Sequence, residues 1–234
     1  MLFGWFYFDW TILIVLPAFF FSLWAQFNVN STFEKYSRVN TRRGITGAAA
    51  ARRVLDENGL QNVAIERVAG NLTDHYNPRE NVIRLSDSVW GSSSAAAIGV
   101  ACHEAGHAVQ YAKHYFPIKI RSTIIPVTRF GSMLAIPLFM IGLIFSSDAL
   151  LLAGIVLYAT VAFFQLVTLP VEFNASARAM RAIRASGMLD TQECEASGKV
   201  LRAAALTYVA ALASSLLTLL RLVILAGGGR GRRD

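Results

Sequence analysis

Apolar and polar positions alternate along this chain on a coarse scale, in long blocks. Leu2 to Phe27 is apolar and rich in aromatic residues, interrupted by Asp9 and Pro17. Asn28 to about Ser94 carries the mixed composition of a water-exposed segment. Phe130 to Phe145 and Ala149 to Leu169 are apolar again and are separated only by Ser146-Ser147-Asp148, and Ala203 to Ala226 is a last apolar stretch broken by Arg221. A run of about 18 or more apolar residues is what crosses a bilayer core, so the pattern predicts three or four transmembrane helices, two of them in a tight hairpin. The first run has no basic leader and no small-residue cleavage site, which favours a retained anchor over a signal peptide.

Finer signals fill the space between the runs. Thr46 can cap a helix that reaches Asn58, because Ala48 to Leu55 is strong helix-forming sequence and Gly59 is a natural stop. Val63 to Val68 and Val82 to Leu85 read as two short strands of a small hairpin, with turn signals at Gly70-Asn71 and Asn77-Pro78. Ala95 to Tyr115 reads as a helix ended by Pro117, after which the basic, partly apolar Ile118 to Arg129 is expected along a membrane surface. A polar helical pair is expected from Val171 to about Arg202, broken near Gly187. The expected organisation is an anchor (1–27), a segment of helix, strands and helix (28–129), a transmembrane hairpin (130–169), a polar helical segment (170–202) and an apolar helix with a basic tail (203–234). The fold class is a mainly α integral membrane protein with a small α+β part.

Composition supports lipid as the main solvent: 54% of the 234 residues are hydrophobic and 16% charged, against about 25% charged in an ordinary soluble domain. The formal net charge of +7 is read as headgroup contact and topology signal, with no nucleic-acid role. Nine Lys and Arg fall in residues 28–94, four in 113–129, five in 178–202 and none in the turn Ser146 to Asp148. The polar segments are therefore expected to face the cytoplasm, in a multi-pass protein of the cell (inner) membrane. The final run stays open between a full span and a re-entrant helix, because a span would carry Arg230, Arg232 and Arg233 outside. Cys102 and Cys194 form no disulfide framework and read as buried small hydrophobes.

The chemistry lies in Cys102-His103-Glu104-Ala105-Gly106-His107. On a helix, two histidines four positions apart project from one face and can reach one metal ion. Neutral imidazole suits zinc, and three protein ligands leave a position open for water. Glu104, beside the first ligand, is placed to act as general base. A Glu between two His on a helix of Ala, Val and Gly is also costly to bury without a partner such as a metal. For the third ligand, Gln110 and Lys113 rule out the metzincin continuation, and no Asp or Glu occurs between His107 and Ser147. Asp148 sits in the hairpin turn, a whole span away, about 25 Å. Glu172, after Pro170, emerges on the correct side and is expected to open a new helix; its alternative reading is a carboxylate that merely favours that helix's dipole. Asn174, Ser176 and Arg178 are candidates to orient the ligands. His75 and His114 read as surface histidines, and an edge strand of the hairpin is a candidate support for an extended peptide. Arg178 or a hairpin residue is the candidate for stabilising an oxyanion.

CHEAGHAVQY, LPVEFNASARA and DHYNPRENVIRLSDSVW, with the spacing of the apolar runs, resemble the YugP-like family of bacterial neutral zinc metallopeptidases over nearly the whole chain. More distantly the plan is similar to HtpX-type membrane proteases. The resemblance implies zinc held by His103, His107 and Glu172, a catalytic Glu104, peptide or protein substrates, and a role in membrane-protein processing or quality control. Asp is common in the family where this chain has Asn174. Two rival expectations are an intramembrane protease with its motif helix inside the bilayer, and a non-catalytic zinc-containing membrane scaffold or partner-binding protein. A regulatory membrane partner and a homo-oligomer both stay open.

Overall fold

The computed structural model describes residues 9–228. The elements run α1 (Ile12–Ser37), α2 (Gly47–Glu57), β1 (Ala64–Val68), β2 (His75–Asn77), β3 (Val82–Ser86), α3 (Asp87–Trp90), α4 (Ala95–Ala112), α5 (Phe116–Ile144), α6 (Asp148–Ser186) and α7 (Thr191–Gly228). Four of them, α1, α5, α6 and α7, are long and apolar enough to cross a membrane. The protein is thus mainly α, with a small mixed sheet. It divides into two compact units: the described parts of Met1–Trp24, Arg121–Leu166 and Val209–Asp234 form one, and Ala25–Ile120 with Val167–Tyr208 form the other.

In the first unit the helices meet through small residues. A Cβ placed at Gly142 of α5 would come within 2.8 Å of the Leu151 amide nitrogen, and one at Gly154 of α6 within 2.9 Å of the Ala135 carbonyl. Close backbone approach of this kind is how helices associate where apolar burial gives no gain over lipid. Phe139, Leu151 and Leu222 form a small shared core, while Phe20, Phe130, Met133 and Leu152 point outward. The two ionisable residues that interrupt the apolar runs find each other: Arg221 donates to Asp9 Oδ2 at 2.6 Å and to Thr11 Oγ1 at 3.0 Å. A cation inside an apolar helix needs such a partner.

The second unit is built on a conventional core. Thr46 caps α2 by accepting from the Ala49 amide, Asn58 closes it, and Val54 and Leu55 pack with Ile83, Leu85, Ile98, Ala101 and Cys102. Ser94 caps α4, and fourteen of its residues are buried. Cys102 and Cys194 are free and buried, as their sequence context implies.

Several expected boundaries differ. The strands expected to form one hairpin, Val63 to Val68 and Val82 to Leu85, instead pair in parallel as β1 and β3, with Ala64 opposite Val82. The antiparallel partner of β3 is β2, whose three residues are too few to show alternation in the sequence. The sheet order is β1-β3-β2. Pro117 does not close α4: that helix ends at Ala112, His114 turns the chain at φ +51, and Pro117 sits in the first turn of α5, where a missing N–H costs nothing. The basic stretch Ile118 to Arg129 is the first half of α5, not a separate surface element. Likewise Pro170 lies inside α6, so Glu172 opens no helix and the dipole reading of it falls. The break near Gly187 is present, at φ +61, but the halves of the polar pair continue α6 and begin α7.

Removing one member of the Asp9 and Arg221 pair strands the other charge. Arg221→Leu is expected to lower the thermal stability of the detergent-solubilised protein by about 1–3 kcal/mol, and adding Asp9→Asn is expected to restore part of the loss. Identical melting of Arg221→Leu and wild type would show that the pair does not hold the helices.

Candidate metal centre

Two helices supply the site. His103, Glu104 and His107 stand on α4 and Glu172 on α6, and one ligand atom from each of His103, His107 and Glu172 can be chosen so that all three lie within 4.8 Å of one another. The Nε2 atoms of His103 and His107 lie 3.3 and 3.5 Å from the same carboxylate oxygen, Glu172 Oε2. The two imidazoles meet edge to face with centroids 4.7 Å apart. Glu172 is 2% exposed, so its charge has lost most of its water and must be compensated within the site.

What brings the carboxylate to the histidines is the residue before His107. A Cβ at Gly106 would stand 2.8 Å from the Ala175 carbonyl oxygen, so only glycine lets the α6 backbone approach this closely. Higher on α4, Gly99 faces the Cβ of Ser197 on α7, and the Ser197 hydroxyl donates to the Ala95 carbonyl at 2.6 Å. Small residues thus set the packing on both flanks of the motif helix.

The outer ring of hydrogen bonds fixes which imidazole nitrogen faces the centre. Gln110 donates through Nε2 to the Val171 carbonyl at 2.8 Å and to Asn174 Oδ1 at 3.1 Å. A carbonyl can only accept, so the amide nitrogen of Gln110 is on that side and its Oε1 faces His107 Nδ1 at 2.9 Å. His107 therefore carries a proton on Nδ1 and presents Nε2 inward. His103 also turns Nε2 toward Glu172, with Nδ1 against Ser176 Oγ at 3.1 Å, a hydroxyl that can serve either tautomer. Asn174 Oδ1 also accepts from Arg178 Nε at 2.7 Å, and the Arg178 guanidinium lies over the Tyr115 ring.

The unprotonated Nε2 of His107 faces a carboxylate oxygen, acceptor against acceptor, and a cation between them makes that favourable. For His107 burial alone pushes the pKa down, but the hydrogen bond with Glu172 and the charges of Glu104 and Glu172 outweigh it and the net direction is up. A bound proton or a metal ion meets the same demand. Two imidazoles and one carboxylate are a donor set that suits zinc and leaves a coordination position free, so the residues present fit that ion.

The site opens into a cavity of about 1000 Å³. His103, Glu104, Glu172 and Ser176 form its floor, with Asp74 and Leu72 from the segment before β2, and Phe33, Leu201 and Tyr208 from α1 and α7. Asp74 accepts from the Ser86 amide and hydroxyl at 2.7 and 2.8 Å. Its burial raises its pKa, and the charge of Glu104 adds to the rise.

Of the residues singled out in the sequence, His103, His107 and Glu172 come together, and His103, Glu104 and Glu172 line this cavity. Ser176 contacts His103, while Asn174 and Arg178 stand behind Gln110. His75 and His114 are exposed and outside the cluster. Gln110 and Asp74 were not anticipated. Gln110 had a signal, since it lies three positions after His107 and so shares its helical face; Asp74 is placed by loop geometry that the sequence pattern does not encode.

A helical membrane protein with a largely buried His, His, Glu cluster between two closely packed helices has the makings of a membrane metallopeptidase. The comparisons agree: residues 11–227 match the family described as "Putative neutral zinc metallopeptidase", and the chain belongs to that family. It is 49% identical over 219 residues to the "Putative membrane protease YugP" of Bacillus subtilis (strain 168), an alignment that covers 94% of this chain and 97% of that protein. No solved structure matches it significantly.

Gly106→Ala forces Ala175 and its helix away from α4. Overpacking of this kind costs about 1–3 kcal/mol, partly offset by the roughly 1 kcal/mol by which Ala favours a helix over Gly, and it is expected to weaken zinc binding because Glu172 moves with Ala175. Thermal unfolding with and without zinc reads both effects. Undiminished zinc affinity in Gly106→Ala would show that the close approach is not what positions the carboxylate.

Proposed function

We propose that the protein is a membrane-bound, zinc-dependent endopeptidase that hydrolyses peptide bonds at the cytoplasmic surface of the cell membrane, in the service of membrane-protein quality control. The observation that carries the reading is the convergence of His103, His107 and Glu172 within 4.8 Å beside Glu104, at the wall of a large cavity. The excess of Lys and Arg in the polar segments supports the cytoplasmic side.

His103, His107 and Glu172 are the residues that would hold the ion. Bound there, zinc supplies Lewis acidity, which polarises a carbonyl and lowers the pKa of water toward about 7. The chain's own groups then have distinct tasks. Gln110 holds His107 in the tautomer that leaves Nε2 free to face inward, and Ser176 orients the ring of His103. Glu104, next to His103 and lining the cavity, takes the proton from the attacking water and gives it to the departing amine. Asp74, whose burial raises its pKa, lines the same cavity as Glu104. The apolar wall of Phe33, Leu201 and Tyr208 excludes water from the bound peptide and strengthens every polar contact at the floor.

Elemental analysis of detergent-purified protein is expected to find about one zinc per chain in the wild type and little in His107→Ala or Glu172→Ala. Glu104→Gln is expected to keep its zinc while peptide cleavage falls at least about 100-fold. Full zinc content in Glu172→Ala would contradict the ligand assignment, and unchanged cleavage by Glu104→Gln would contradict the assigned base.

A further inference from the structure

A second hollow, of about 420 Å³, lies outside the catalytic cavity between one face of α1 and one face of α7. Asn28, Thr32, Lys35 and Tyr36 line it from α1, and Lys199, Arg202, Ala203 and Leu206 from α7. Their spacings of three and four residues are those of single helical faces. Three cations and no acidic side chain line this hollow. The Lys35 and Lys199 ammonium groups both sit over the ring of Tyr36, at 5.4 and 5.8 Å from its centroid.

None of the three cations is in an ion pair with a described residue. The nearest acids in sequence do not supply one: Glu34 pairs with Arg38, and Glu195, one turn before Lys199, is exposed on the surface. Lys35, Lys199 and Arg202 are exposed to solvent, and their like charges gathered around one aromatic ring attract an anion. The hollow is also graded. Along α1 it passes from Lys35 and Tyr36 through Thr32 to Asn28, next to the apolar run that ends at Phe27; along α7 it passes from Lys199 and Arg202 to Ala203 and Leu206, where the last apolar stretch begins. A phosphate suits the cationic end and an acyl chain the apolar end, and basic pockets between helices at the membrane boundary take lipid headgroups.

We infer that this hollow binds the phosphate headgroup of an anionic phospholipid, with Lys35, Lys199 and Arg202 as its ligands and Tyr36 as the platform beneath. The site tethers α1 to α7 through a lipid, separately from the metal centre.

The test is native mass spectrometry of the full-length, detergent-purified protein titrated with phosphatidylglycerol or phosphatidylcholine. Wild type is expected to hold one phosphatidylglycerol with a preference over phosphatidylcholine of at least about tenfold, and Lys35→Gln/Lys199→Gln/Arg202→Gln is expected to lose that preference while keeping its zinc. Lys35→Arg/Lys199→Arg, which keeps the charge, is expected to retain the lipid. Equal retention of the two lipids by wild type, an unchanged preference in the glutamine variant, or loss of the lipid from the arginine variant would each overturn the assignment. Inorganic phosphate at the same concentration is expected not to displace the lipid; displacement would show a site for free phosphate and overturn the lipid as its occupant.

Discussion

At Gly106 the backbone of α4 lies against the backbone of α6, and everything at the metal centre depends on that contact. With a Cβ there the Ala175 carbonyl would be 2.8 Å away, and α6 would have to withdraw. Glu172 is one turn before Ala175 on the same helix, so the separation of the two helices is also the distance from the carboxylate to the two imidazoles. The glycine within the His-Glu-x-x-His motif therefore has a steric task.

The contact also explains the polarity of the ring around the site. Once α6 lies this close, its Val171 carbonyl and Asn174 side chain are within reach of Gln110, and the backbone acceptor dictates which way the Gln110 amide points. That orientation passes to His107 as a fixed tautomer. Asn174 takes part only through Oδ1, which accepts from Gln110 and Arg178.

Much of this was legible in the sequence, because the strongest signals were periodic. The spans, the cap at Thr46, and the two histidines on one helical face follow from spacing alone, and Glu172 was reached by eliminating every nearer carboxylate. What did not show had physical reasons. Proline marked false boundaries at Pro117 and Pro170, because a first turn has no use for the missing N–H and because neighbouring helices in a membrane protein tolerate an interior proline. The strand β2 is too short to have a period, and the parallel pairing of β1 with β3 is a long-range fact that local pattern cannot carry. Asp9 and Arg221 read separately as interruptions of apolar runs; only the fold shows that each is the other's partner.

X-ray absorption at the zinc edge of the zinc-loaded, full-length protein reads directly which atoms surround the metal. It is expected to show two imidazole nitrogens at about 2.0–2.1 Å with oxygen ligands at about 2.0–2.2 Å and no sulfur. A spectrum with sulfur at about 2.3 Å, or with a single imidazole, would contradict the central claim that α4 and α6 close one centre through His103, His107 and Glu172.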